Sequence, residues 1–254
     1  MLGVYFSGTG NTQYILGQFL SGQGESSMCS ITDSDVVQAI TNANKVVFAY
    51  PGYFSNLPVI VRKFICEHKN VWKGKQIYII VTMGAFCGDG TGCAARLFRK
   101  YGATILGGIQ VRMPDSICDK KQYLKSYEFN QKLVQKAIDK VQKERDNIKQ
   151  GKPSREGLGF FAHVAGLLGE RLWFYSQSSK LSDQLKIDST KCVGCGKCAK
   201  ACPMGNIEMV NGKPTSQGKC TMCYSCISQC PKEAISLLGN HVLSQQRIEK
   251  YVHL

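Results

Sequence analysis

The sequence predicts an open, doubly wound α/β domain of five parallel strands, followed by a second and smaller unit rich in cysteine. Three observations carry this. Short apolar runs alternate with helical stretches up to about residue 150. A Ser-Gly-Thr-Gly-Asn-Thr turn joins the first apolar run to the first helical stretch. A proline-terminated cysteine pattern then occurs twice beyond residue 190.

The expected strands are Leu2 to Ser7, Met28 to Thr32, Lys45 to Tyr50, Gln76 to Thr82 and Thr104 to Met113, several of them rich in the Val, Ile and Tyr that suit buried parallel strands. Helices fill the gaps. The first places Ile15, Leu16, Phe19 and Leu20 on one face, and the last, over Asp119 to Gln150, spaces Tyr123, Tyr127, Val134, Ile138 and Val141 at helical intervals. Its lysine-rich side reads as a solvated surface. Gly151, Lys152 and Pro153 end that helix and mark a boundary, so residues 1–150 form the first domain and 151–185 an apolar linker. Within the linker, residues 156–179 are apolar enough to need burial against either domain or in a homodimer contact. Residues 186–238 form the second domain, and 239–254 a helical tail.

Among 254 residues, 32 Lys and Arg face 18 Asp and Glu, a formal charge of +14. Basic residues are scattered rather than gathered in a nucleic-acid motif, so the expected partners are acidic redox proteins and not nucleic acid. The opening MLGVYFSGTGN lacks a basic region, an apolar core and a cleavage site, which leads to a cytoplasmic expectation. The longest mostly apolar run, Leu158 to Leu168, is too short to span a bilayer, so no transmembrane segment is expected.

Thirteen cysteines in such a chain suggest thiolates held for metal rather than a disulfide framework. Cys192, Cys195, Cys198 and Cys202 precede Pro203, and Cys220, Cys223, Cys226 and Cys230 precede Pro231; each run reads C-x2-C-x2-C-x3-C-P. Cys192 recurs as Cys220, an offset of 28 that Ile207 and Ile235 also obey, so the segment is an internal duplication. Three closely spaced thiolates can wrap one cubane, while the cysteine before proline points to the cluster of the other half. The expected ligand sets are therefore Cys192, Cys195, Cys198 and Cys230 for one [4Fe-4S] cluster, and Cys220, Cys223, Cys226 and Cys202 for the other. Zinc, which prefers two separated C-x2-C pairs, and disulfides are the alternatives. Gly194, Gly196, Ala199 and Ser225 keep the backbone amides close to the sulfides. Cys29, Cys66, Cys87, Cys93 and Cys118 lack cluster spacing and read as small hydrophobes.

At the N-terminus Ser7, Gly8, Thr9, Gly10, Asn11 and Thr12 lie between strand and helix. Open helix amides, two glycines and four polar side chains there suit an anion, and the missing lysine excludes an ATP-type P-loop. Gly88, Gly90 and Gly92 imitate a nicotinamide fingerprint, but Cys93 stands where its third glycine belongs.

The strand, S-G-T-G-N-T and helix resemble the FMN phosphate loop of flavodoxins, and Lys186 to Leu238 resembles two-cluster bacterial ferredoxins, which implies a small α+β fold of two hairpin-and-helix units. Nearly the whole chain resembles the flavodoxin-ferredoxin fusion proteins of anaerobes. The resemblance implies a flavodoxin-like sheet in the order 2-1-3-4-5, with FMN at the switch point. It also implies two loops around the flavin ring, the first offering Pro51, Gly52, Tyr53 and Phe54, and the second Met83, Gly84, Phe86, Cys87, Gly88 and Asp89. The implied function is electron relay between two [4Fe-4S] clusters and FMN, which couples one-electron to two-electron partners. Two alternatives stay open: a flavin reductase of a quinone, nitro compound or enone fed by the clusters, and a redox-sensing or assembly subunit.

Overall fold

A computed structural model describes residues 1–53, 55–159, 164 and 184–252. The first domain carries β1 (Leu2–Tyr5), α1 (Asn11–Leu20), β2 (Ser27–Ser30), α2 (Val36–Asn42), β3 (Lys45–Pro51), α3 (Val59–Glu67), β4 (Gln76–Met83), α4 (Gly90–Lys100), β5 (Thr104–Arg112) and α5 (Tyr127–Lys149). Its five strands run parallel in the order β2-β1-β3-β4-β5. This is the doubly wound order that the flavodoxin resemblance implies, and the direction in which successive strands are added reverses between β1 and β3.

Both faces of the sheet are covered, which is why its strands read as nearly unbroken apolar runs. On one side Phe48, Phe64, Trp72 and Phe98 form a ring cluster with α2, α3 and α4, Trp72 and Phe98 meeting edge to face at 4.8 Å. On the other side Ile15, Leu16 and Phe19 of α1 meet Val134 and Val141 of α5 over Val47, Tyr78 and Ile80. Gly3 permits that closure, since a Cβ there would strike Leu20.

The second unit holds β6 (Lys186–Ile187), α6 (Lys197–Ala201), β7 (Ile207–Val210), β8 (Lys213–Ser216), α7 (Ser225–Ser228) and β9 (Ile235–Ser236). β6 pairs antiparallel with β9, and β7 with β8. The duplication seen in the sequence thus becomes two short helices and two small ribbons. Their shared core, with Ile207, Met222, Ile227, Ile235 and Leu237, also takes in Ile117 and Cys118 of the first domain.

Two expectations are corrected. The last helix begins at Tyr127 rather than near Asp119, with the Ser126 hydroxyl accepting the Phe129 amide at 3.2 Å as its cap. The residues before it are engaged elsewhere: the Cys118 carbonyl accepts the Leu243 amide at 2.9 Å, and the Asp119 carboxylate accepts the Tyr224 hydroxyl at 3.0 Å and the Leu237 amide at 2.7 Å. The tail expected to be helical has, among its described residues, one 3-10 turn at Ile248–Lys250. It is held by contacts with the first domain instead. The Ile248 amide donates to the Thr9 carbonyl at 3.1 Å, and the Asn130 amide donates to the Tyr251 hydroxyl at 3.0 Å.

Beyond α5 the chain follows the edge of β5, where the Gly108 amide donates to the Ser154 carbonyl at 2.8 Å and the Glu156 amide returns to the Gly108 carbonyl at 2.9 Å. Buried Glu144 fastens this stretch, accepting the Ser154 amide at 2.8 Å and the Tyr78 hydroxyl at 2.7 Å. Most of the apolar segment 156–179, and with it the proposed homodimer contact, lies outside the described residues. No helix among the described residues is long and apolar enough to cross a membrane.

Candidate functional site

The C-terminal ends of β1, β3, β4 and β5 open onto one cavity of about 190 Å³. Open parallel sheets bind ligands at this edge, beside the switch point. Ser7, Gly8, Thr9, Asn11 and Thr12 form its floor; Pro51 at the end of β3 lines it with Gly52 and Tyr53 beyond, and Met83 at the end of β4 with Gly84 and Phe86 beyond.

The loop from Ser7 to Thr12, expected to hold a phosphate, is fixed by its own contacts. Gly10 takes a left-handed φ of 88°, which turns the chain into α1, and no side chain caps that helix. Its first amides therefore face an incoming anion together with the positive end of the helix dipole. Three side chains expected to reach the anion are engaged within the loop's support: Thr12 bonds the Thr82 hydroxyl at 2.7 Å, Thr9 the Ser116 hydroxyl at 2.9 Å, and Asn11 donates to the Pro114 carbonyl at 2.8 Å. They hold the loop against β4 and the segment after β5.

Of the remaining expected residues, Gly10 lies under the Ile248 side chain and outside the cavity lining, and Phe54 lies outside the described residues. Cys87, Gly88 and Asp89 also stand behind the lining rather than in it. The buried Cys87 sulfur sits against Gly52 and Gly90, where any Cβ would collide with it. The Gly88 carbonyl accepts the Gln110 amide at 2.7 Å, and buried Asp89 pairs with Arg96 at 2.7 Å. These residues shape the loop after β4 from beneath. Phe86, 57% exposed, stands at the rim.

Sequence reasoning missed one whole wall. Met113, Pro114, Asp115, Ser116, Ile117 and Tyr123 line the cavity from the segment after β5, and Met222 and Tyr224 line it from the second cysteine run. Asp115 is the carboxyl group of this lining. Its Oδ1 accepts the Ile117 amide at 2.9 Å, its other oxygen faces Gly84 closely enough to exclude a Cβ there, and burial raises its pKa above the ordinary 3.8. Arg112 holds the same loop from the other side by donating to the Gly84 carbonyl at 2.9 Å.

The eight cysteines line two separate cavities. Cys192, Cys195, Cys198 and Cys230 surround one cavity, and Cys202, Cys220, Cys223 and Cys226 surround another. Amides point at the sulfurs: Asn206 donates to Cys202 at 3.2 Å, Met222 to Cys220 at 3.3 Å and Ala234 to Cys230 at 3.3 Å. Burial pushes the Cys223 thiol up to about 12, with the Cys220 and Cys202 sulfurs adding to the effect. Ligation to iron reverses that preference by binding the thiolate. Of the other five cysteines, Cys87, Cys93 and Cys118 are buried, and Cys29 and Cys66 are half-buried.

The two sites touch. A Cβ on Gly8 of the phosphate loop would collide with the Cys223 carbonyl. Burial holds the Tyr53 phenol well above its usual pKa, and the Cys223 and Cys220 sulfurs act in the same direction. Tyr53 thus lines the phosphate-loop cavity while lying within the electrostatic reach of two cysteines of the second run.

Residues 184–231 match the family described as the 4Fe-4S dicluster domain. No curated protein matches the chain. Among solved structures, the chain is similar to the two-electron reduced flavodoxin of Megasphaera elsdenii, at 21% identity over 44% of this chain and 85% of that one, with a TM-score of 0.40. It is also similar to a flavodoxin from the domain Archaea, at 18% identity over 56% and 97% with a TM-score of 0.38. A protein from P. pentosaceus named as an NADPH-quinone reductase shares 12% identity over 55% and 96%, with a TM-score of 0.39. The architecture itself rests on the observed strand order and register.

The chain is a redox protein of the electron-transfer class. More particularly, it joins a flavodoxin-like α/β domain to a dicluster segment that carries two [4Fe-4S] clusters.

Proposed function

We propose that the protein relays electrons between its two [4Fe-4S] clusters and an FMN held in the cavity at the C-terminal edge of the sheet. The observation that carries this reading is the abutment of the two sites, Gly8 of the phosphate loop lying against the carbonyl of Cys223. The cavity's chemistry fits FMN. Uncapped helix amides and Ser7 suit the phosphate, and Tyr53, Met83, Phe86 and Tyr123 offer an apolar and aromatic lining for a ring. When bound, FMN would hold one or two electrons, whereas each cluster would pass one.

The chain's own residues do the positioning. Thr9, Asn11 and Thr12 brace the phosphate loop, Arg112 and Asp115 lie against Gly84 from two sides, and Tyr53 and Met222 line the cavity. The ligand sets of this reading are Cys192, Cys195, Cys198 and Cys230 for one cluster, and Cys202, Cys220, Cys223 and Cys226 for the other. A cytoplasmic location and acidic redox protein partners complete it.

The test begins with anaerobic purification, for which the reading expects about eight iron, eight sulfide and one FMN per chain. Flash reduction of the clusters should then bleach the flavin at a rate independent of protein concentration. Protein without FMN, or a rate proportional to concentration, would overturn the relay. Steady turnover of a quinone by the purified protein would favour the reductase alternative.

A further inference from the structure

The two halves of the duplication share their backbone path but not their side chains. At the offset that superposes the cysteines, Gly194 corresponds to Met222 and Gly196 to Tyr224. All four residues take the left-handed conformation, with φ of 68° and 71° in the first run and 59° for both residues in the second. Glycine adopts it freely, whereas a Cβ crowds the backbone there, so Met and Tyr are retained against a local conformational preference. Outliers of this kind persist where the surroundings repay them and often mark function.

Their surroundings show what repays them. Met222 is 8% exposed and Tyr224 3%, and both line the cavity that holds the phosphate loop. The Tyr224 hydroxyl donates to buried Asp119 at 3.0 Å, which fixes its ring against the segment after β5. Nothing from the first run lines that cavity. There Cys195 is exposed, Val193 is 61% exposed, and a Cβ on Gly196 would meet open space.

We propose that Met222 and Tyr224 are flavin-binding residues, so that the second cysteine run supplies a wall of the FMN site and its cluster is the flavin's fixed neighbour. This rests on the cavity being an FMN site. The Met thioether is polarizable and suits an aromatic face, and the Tyr ring presents an apolar body whose polar tip is already satisfied by Asp119. The cavity of Cys192, Cys195, Cys198 and Cys230 then lies apart from the flavin, beside exposed Val193 and Cys195.

The test uses the full chain, freed of FMN and titrated with it anaerobically, with binding read from the quenching of flavin fluorescence. Met222→Gly and Tyr224→Gly restore the residues of the first run and relieve the left-handed backbone. The Met222 amide still donates to Cys220, so iron and sulfide content should be unchanged. FMN affinity should fall about tenfold or more for Met222→Gly, as buried apolar area is lost from the cavity. For Tyr224→Phe, which keeps the ring, affinity should fall by less than for Tyr224→Gly. Wild-type affinity in both glycine variants would overturn the inference, and so would loss of iron in Met222→Gly, which would give that side chain to the cluster instead. Wild-type protein that binds no FMN would overturn the cavity reading itself.

Discussion

The two cysteine runs have the same spacing, the same terminal proline and the same pair of left-handed turns, yet one is exposed and the other enclosed. Residues 193–195 are exposed, whereas every residue from 221 to 228 is buried. The ligand chemistry demands the spacing, so the spacing is shared. What differs is the neighbour. The second run is covered by the loop after β5 and by the phosphate loop, and a duplicated unit has become asymmetric by docking one half on another domain. Cluster potentials respond to solvent exposure and to hydrogen bonds at sulfur, so the two clusters should not be equivalent.

The comparison breaks most directly at the crossed ligands. Cys202→Ala should lower iron from about eight to about four per chain and remove the cluster of Cys220, Cys223 and Cys226, leaving the first-run cluster intact in EPR spectra. Loss of the first-run cluster instead would mean that each run closes on itself. A second expectation concerns access: under slow oxidation, alkylation followed by mass spectrometry should mark Cys192 and Cys195 before Cys223 and Cys226. Simultaneous labelling would erase the distinction between an exposed and an enclosed run.

Smaller effects sharpen it. Asp119→Ala leaves the Tyr224 hydroxyl and the Leu237 amide without their acceptor, and should cost about 2–4 kcal/mol, read as a lower midpoint in denaturant. The loss should fall on the second run, with first-run iron retained. The smallest expected effect is the pH response of Asp115. Because burial raises its folded pKa above 3.8, the folded state binds more protons over the window between the two values. Its contribution is therefore fullest below 3.8 and declines as pH rises through the raised value. Asp115→Asn should flatten stability against pH over that window, as measured by denaturant titrations at several pH values.

Much of the first domain was legible because β1, β3, β4 and β5 are largely buried and each helix is buried on one face, so apolar periodicity reports them directly, whereas the edge strand β2 is exposed to half-buried. The cysteine sets were legible because ligand spacing is local. The cavity's third wall was not. Met113 to Ile117, Tyr123, Met222 and Tyr224 carry no motif, and they meet Ser7 to Thr12 only through the fold. The start of α5 was misjudged for the same reason: helical periodicity continues upstream to Tyr123, but Cys118 and Asp119 are held by the second unit, and only Ser126 supplies a cap. Asn11 and Thr12 were expected to serve an anion, yet their side chains bond Pro114 and Thr82, partners that sequence proximity does not suggest.

One contact has a consequence for how the protein is made. The Thr9 carbonyl receives the amide of Ile248, and Gly8 meets Cys223, so partners far apart in sequence close one loop. Because synthesis runs from the N-terminal side, these contacts can form only after residues 223 and 248 have been added, so the edge of the sheet at residues 7–12 is closed late.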